Sequence, residues 1–200
     1  MELNQINKFL NPPLKLLQTF PLQGSDEQSR RRYLRDQIRT CIEDSYEFSM
    51  TKQESERLND LSQTPFFKNF NISISHTKEL GGFAITDKQH LCGLDIERKE
   101  RITKPVVSRI SQASELDQLG ENFAHLWTLK EAGFKCLAHN QSLKLVVELQ
   151  FSDFQVFPGG FLSAHNIVAN GLSIQGVSAL SFTDGRFIFG LLTKNNLTLV

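Results

Sequence analysis

Residues 70–97 read FNISISHTKELGGFAITDKQHLCGLDIE. Within them, FNISISH at 70–76 alternates apolar and polar side chains, 83–86 is a short apolar run, and 91–97 follows a polar turn at Asp87–His90. Such runs, bounded by turn residues, predict three strands. Toward the C terminus, 101–119 carries a helical pattern with Pro105 in its first turn. Residues 121–139 form the clearest helix, with Leu126, Leu129, Gly133, Cys136 and Leu137 as its buried stripe. Beyond it, LKLVVELQF, FQVF, FLSAH, LSIQGVSALSF and RFIFGLL are strand-like, with turns at Pro158-Gly159-Gly160 and Thr183-Asp184-Gly185.

Toward the N terminus, Ser25-Asp26-Glu27-Gln28 has the spacing of a capping box and predicts a helix start. Leu34, Ile38, Cys41 and Ile42 give that helix one apolar face, with Arg31, Arg35 and Arg39 along another. Residues 49–65 are polar and predict a second short helix ending before Pro65. Residues 1–24, with Pro12, Pro13 and Pro21, read as an irregular lead-in. Helices mixed with antiparallel strands predict an α+β fold rather than a regular βαβ succession.

The chain has 200 residues, 40% of them apolar and 22% charged, which suits a globular protein and excludes disorder throughout. Lys and Arg total 22 and so do Asp and Glu. The basic excess of a general nucleic-acid binder is absent, so no nucleic-acid partner is expected, and a charged partner must be met by a local patch. Cys41, Cys92 and Cys136 lie among apolar residues without metal-ligand spacing. They predict buried free thiols and a reducing, cytoplasmic setting. The first twenty residues lack a signal-peptide pattern and no apolar run reaches ~20 residues, so no membrane partner is expected.

Three groups of residues carry chemistry. On a strand, Asp95 and Glu97 point the same way while Leu94 and Ile96 point oppositely. Two such carboxylates repel unless a cation or proton lies between them, and hard oxygen ligands suit Mg²⁺. Taken alone, a D-x-E on a strand is more often a solvated face. In WTLKEAGFK (127–135), Trp127, Glu131 and Lys135 are four apart and share a helix face. Glu131 then reads as a third metal carboxylate and Lys135 as a phosphate donor, against the plainer reading of an i,i+4 ion pair. Gly133 within that helix predicts a close approach of its backbone to the sheet. Third, Ser75, His76 and Thr77 end a strand and offer two hydroxyls and an imidazole to an anion; a hydrogen-bonded structural histidine is the alternative. His90, His125, His139 and His165 have no companion motif. Together the three groups suit a Mg²⁺-bound pyrophosphate, and no Walker loop or kinase glycine loop is present.

SISHT (73–77), GLDIE (93–97) and WTLKEAGFK (127–135) stand in the order and spacing of the 4′-phosphopantetheinyl transferase superfamily, which the chain resembles. At this length it is similar to the larger, monomeric surfactin-synthetase-activating type. That resemblance implies a pseudo-dimer of two similar α+β halves, about 1–91 and 92–200, with coenzyme A in the cleft between them. It implies transfer of phosphopantetheine from coenzyme A to a serine of an apo-carrier protein, acyl or peptidyl, releasing 3′,5′-ADP. Asp95, Glu97 and Glu131 would hold Mg²⁺; Lys135 and His76 would contact phosphates; Glu131 is also the candidate base. Arg30, Arg31, Arg32 and Arg35 would grip the 3′-phosphate, against the plainer reading of a solvated basic helix face. Where the family often has Gly-Lys-Pro near the adenine, this chain has Gln63-Thr64-Pro65. Carrier proteins of this kind are acidic, and Arg98, Lys99, Arg101, Lys104 and Arg109, with Val106, Val107 and Ile110, supply a basic patch with an apolar centre. A non-catalytic relative that binds coenzyme A or a carrier, and a metal-dependent nuclease using the carboxylates, are the alternatives.

Overall fold

A computed structural model describes residues 2–46, 49–62, 65 and 67–195; of His139 and Asn140 it describes the backbone alone. The lead-in is not irregular. It contains helix α1 (Leu3–Ile6) and strand β1 (Leu16–Pro21). Its prolines flank or end these elements, and Ile6, Leu10 and Leu14, four apart, are anchored in a core. Helix α2 (Glu27–Tyr46) follows, starting one residue later than the capping box predicts. Asp26 Oδ1 accepts from Ser29 N (2.8 Å) and Ser29 Oγ accepts from Asp26 N (3.2 Å), so the reciprocal cap is Asp26–Ser29. The polar 49–65 stretch holds α3 (Lys52–Asn59), opened by a capping box between Thr51 and Glu54.

Strands β2 (Phe70–His76) and β4 (His90–Arg98) lie where the alternation places them, whereas β3 (Leu80–Asp87) is twice as long as the 83–86 run and buried except at its two ends, being paired on one edge by β1 and on the other by β2. The stretch 101–119 is not one helix. It breaks into α4 (Lys104–Ser108), which has Pro105 in its first turn, and α5 (Ala113–Leu119). The long helix α6 spans Phe123–Gln141. Strands β5 (Leu149–Phe157), β6 (Phe161–Ala169), β7 (Leu172–Ser173), β8 (Val177–Thr183) and β9 (Phe187–Asn195) complete the chain. The predicted strand at LKLVVELQF begins only at Leu149; Val146–Glu148 form a 3₁₀ turn. No helix among the described residues is long and apolar enough to cross a membrane.

Two sheets result, a three-stranded one ordered β1-β3-β2 and a six-stranded one ordered β4-β9-β8-β6-β5 with β7 on β6. They meet along β2 and β4 without a backbone ladder. Leu94 N donates to Ser73 Oγ (2.9 Å) and Ile96 N donates to Ser75 Oγ (3.1 Å). The separation is 21 residues at both steps, so the two strands run in the same direction and serine hydroxyls take the place of main-chain acceptors. Helices α2 and α3 cover the small sheet, burying Leu34, Ile38, Ile42 and Leu58 against Phe83 and Ile85. Helix α6 covers one face of the large sheet through Leu126, Leu129, Ala132 and Leu137. The lead-in and β3 cover the other face, where Leu94 and Ile96 pack with Phe182, Phe189 and Leu191.

Helix α6 is seated on bare backbone. A Cβ at Gly93 of β4 would fall 1.9 Å from Ala132 O, and one at Gly190 of β9 would fall 2.1 Å from Thr128 O. The close approach predicted at Gly133 is therefore made by other glycines. A Cβ at Gly133 itself would meet side chains rather than backbone, Leu149 at 3.0 Å and Phe151 at 3.1 Å.

Two polar groups are buried beneath α6. Lys130 is fully buried and its Nζ lies 2.9 Å from Glu115 Oε2 of α5. Lys130 also donates to Leu149 O, while Glu115 accepts from Phe151 N (2.8 Å) and Gln112 N (2.7 Å). The second group is His125, whose Nδ1 lies 2.9 Å from Ser181 Oγ. Ser181 donates its proton to Phe189 O (2.7 Å), so Nδ1–H is the donor to Ser181. Burial, helped by the charge of Lys99, pushes the His125 pKa down to about 4. Unfolding returns it to about 6.5. The folded state then binds fewer protons in that window, so stability is fully present above pH ~6.5 and falls as pH drops toward 4. The expected loss is on the order of 3 kcal/mol at most. Melting curves between pH 7 and 4 should show it, and His125→Asn, which keeps the donor without the titration, should flatten the profile. An unchanged profile in that variant would assign the acid sensitivity elsewhere.

Candidate active site

The β4 alternation that sends Leu94 and Ile96 into the core turns Gly93, Asp95 and Glu97 toward α6. Asp95 is buried at 6% exposure. Its Oδ1 accepts from Lys135 Nζ (2.8 Å) and from Ser75 Oγ (3.1 Å). Lys135 Nζ also donates to Leu94 O (3.0 Å) and Ser75 Oγ (3.2 Å). Ser75 thus grips Asp95, Lys135 and the Ile96 amide at once. Asp95 Oδ2 is buried and, among the described residues, has no hydrogen-bond partner. An orphaned buried carboxylate oxygen calls for a positive partner.

Glu97 and Glu131 are half-buried. Burial pushes both above the usual carboxylate range, and the charge of Asp95 adds to the rise. Arg101, 3.7 Å from Glu97 Oε2, offsets part of it for Glu97; Lys135 does so for Glu131. Asp95, Glu97 and Glu131 are of the donor type that suits a hard divalent cation, one of them with an unsatisfied oxygen, but as placed they do not converge on one point. Among the described residues no three His, Cys, Asp or Glu side chains close into a metal-ligand set, and Lys135 supplies the positive charge at Asp95.

Lys135 also lines a cavity of about 410 Å³, together with Arg31 and Arg35 of α2, Ser62, Pro65, Ile72, Ile74 and His76. Its wall is cationic. Arg35 is 7% exposed and its guanidinium donates to Arg57 O and Leu58 O (both 3.3 Å). Burial, and then the charge of Arg31, lowers the Arg35 pKa, so an anion in the cavity would be welcomed by both guanidiniums. Arg31 donates to Leu61 O, and His76 Nδ1 lies 3.3 Å from Thr77 O.

The geometry divides the sequence candidates. Arg31, His76 and Lys135 line one cavity, and Ser75, Asp95 and Lys135 bond to one another. Thr77 and Arg32 are elsewhere. The Thr77 hydroxyl accepts from Glu79 N and Leu80 N and closes a turn after β2. Arg32 is exposed and does not line the cavity, because one residue along a helix is 100° around it, whereas Arg35 shares the face of Arg31. Gln63 and Thr64, and the side chain of His139, lie outside the described residues. The residues that sequence reasoning missed are Gly190, which is opposite Asp95 in the β4–β9 register, and the Glu115–Lys130 pair.

A smaller groove, about 170 Å³, opens beside Glu97 between Arg101, Ile102, Val106 and Trp127. Arg101 is shared with a basic cleft of about 210 Å³ lined by Lys78 and Arg98. Of the predicted patch, Lys99, Arg101, Lys104 and Arg109 are exposed, whereas Arg98 is paired with Glu79 and Glu100. Val107 is fully buried in the core.

The α+β frame thus sets Lys135 between a buried carboxylate, Asp95, and a cavity walled by Arg31, Arg35 and His76. Residues 91–184 match the family model of the 4′-phosphopantetheinyl transferase superfamily. Asp95, Glu97, Glu131 and Lys135 lie within the match; Arg31, Ser75 and His76 lie before it. No curated protein matches the chain.

Proposed function

We propose that the protein transfers the 4′-phosphopantetheine group of coenzyme A to a serine of an apo-carrier protein, giving holo-carrier and 3′,5′-ADP. The observation that carries this reading is that Lys135, which lies within the family match and bonds Asp95, lines a cavity whose other charged walls are Arg31, Arg35 and His76. A nucleotide with several phosphates is the ligand that such a wall selects. Coenzyme A would lie with its phosphates toward Arg31, Arg35 and His76 and its pyrophosphate at Lys135. Asp95, Glu97 and Glu131 would hold Mg²⁺, which when bound neutralises the pyrophosphate oxygens. The serine oxygen forms a bond to the pantetheine-bearing phosphorus as the bond to the departing 3′,5′-ADP oxygen breaks. Glu131 is the residue placed to take the serine proton, directly or through a water. The two sheets with their helices correspond, in this reading, to halves 1–91 and 92–200 of a monomeric pseudo-dimer.

The acceptor would enter at the groove beside Glu97. Exposed Lys99, Arg101, Lys104 and Arg109 favour an acidic partner, and Ile102, Val106 and Trp127 give the groove an apolar floor. Intact-mass analysis of apo-acyl and apo-peptidyl carriers incubated with the protein, coenzyme A and Mg²⁺ tests the reading. A phosphopantetheine-sized gain that requires metal supports it. No gain on any carrier, from folded protein that still binds coenzyme A, replaces it with a non-catalytic binder. Within the same assay Arg31→Ala should raise the KM for coenzyme A about tenfold or more while kcat changes little, because a charge-assisted contact made equally before and during reaction is lost. A pure kcat effect would remove Arg31 from the binding wall.

A further inference from the structure

We propose that the buried Glu115–Lys130 pair is a positioning strap for α6, setting the rotation that turns Glu131 and Lys135 toward Asp95, and that it is kept for this rather than for stability. The proposal rests on the transferase reading for what that rotation accomplishes. Its structural part stands on the geometry of α6.

Helix α6 lies across a sheet whose strand order runs from β4 to β5. Two lysines hold it from opposite edges. Lys135 reaches β4, bonding Asp95 and Leu94 O. Lys130 reaches β5, bonding Leu149 O, and it meets Glu115, which itself accepts from Phe151 N on β5. Five residues along a helix are 140° around its axis, so the two straps leave opposite flanks. Rolling the helix would slacken one and stretch the other. The glycine seats cannot resist that roll. Thr128 O and Ala132 O, four residues apart, form a single row along the underside and act as a line of contact.

The straps are unequal in permanence. Lys135 is one-third exposed and borders the cationic cavity, so holding a phosphate there means loosening its grip on Asp95. Lys130 is wholly enclosed, with no exit to ligand or solvent. It is the strap that stays taut while the other is in use. Glu131 is the next residue in sequence, so a roll about the axis moves its carboxylate directly.

The double variant Glu115→Gln/Lys130→Met tests this, because it removes both charges together and keeps a side-chain acceptor for Phe151 N. Its melting temperature should stay within about 5 °C of the wild type. Amide exchange along α6 should accelerate, and the kcat of transfer should fall at least about tenfold with the KM for coenzyme A little changed. Wild-type kcat together with unchanged α6 exchange would overturn the proposal. So would a melting temperature lowered by about 15 °C or more, which would make the pair a stability device. If the wild-type protein itself transfers nothing, the transferase reading fails, and the exchange comparison still decides whether the strap exists.

Discussion

Asp95→Asn is expected to abolish transfer, with a loss on the order of a thousandfold or more, while the protein stays folded. The Asp95 carboxylate meets Lys135 and Ser75 through Oδ1 and leaves Oδ2 buried without a partner among the described residues. Asparagine keeps an acceptor for Ser75 but removes the charge that draws in a cation, and it puts either a neutral oxygen or an NH₂ where that cation would bind. The same change relieves crowding, since Asp95 pushes up both Glu97 and Glu131. The lost Lys135 pair and the relieved repulsion oppose each other, so the melting temperature should move by no more than about 5 °C. Carrier mass and a melting curve on the same preparation check both halves. Wild-type transfer by the asparagine variant would remove Asp95 from the metal set; an unfolded variant would make Asp95 structural.

Gly93→Ala is expected to cost about 3 kcal/mol or more and to depress transfer as well. Its Cβ would sit 1.9 Å from Ala132 O and 2.8 Å from Ala132 C. Backbone atoms of a helix interior cannot step aside singly, so the whole of α6 must lift from β4. That motion carries Glu131 and Lys135 away from Asp95, two residues further along the same strand. Denaturant unfolding measures the first effect, and the second should persist in the folded fraction. An alanine variant as stable as the wild type would mean that the helix is not seated there.

What the sequence disclosed follows from the range of the interactions. The period-two pattern of 70–76 and 91–97 and the 3.6-period pattern of α6 are local, and those elements lie where expected. Asp95 with Glu97, and Glu131 with Lys135, could be grouped because strand and helix spacing alone put them on shared faces. The lead-in was misread because β1 is paired on one side only, with β3, and shows no alternating burial. The break between α4 and α5 was hidden by apolar residues at helix-compatible spacing on both sides of it. Lys130 gave no signal. Its partner Glu115 is on another helix, and its neighbours in sequence suggest a solvated pair. Gly93 and Gly190 were unreadable for the same reason, since each makes room for a backbone atom of a distant element. Choosing Arg35 over Arg32 required the azimuth of α2 relative to a cavity, which no single helix encodes.

The serine seam gives the chain a natural place to be cut. The turn between β3 and β4 carries exposed Lys88 and Gln89, and every contact across β2 and β4 survives if the covalent link there is lost. The lead-in, with Ile6, Leu10 and Leu14 packed among residues of β8 and β9, ties the first fragment to the second like a hook. A single tryptic nick after Lys88 should therefore leave two peptides that co-elute as one particle and part only in denaturant. Two separately made pieces, 1–88 and 89–200, should find each other in solution, which would let either half be labelled or exchanged as a module.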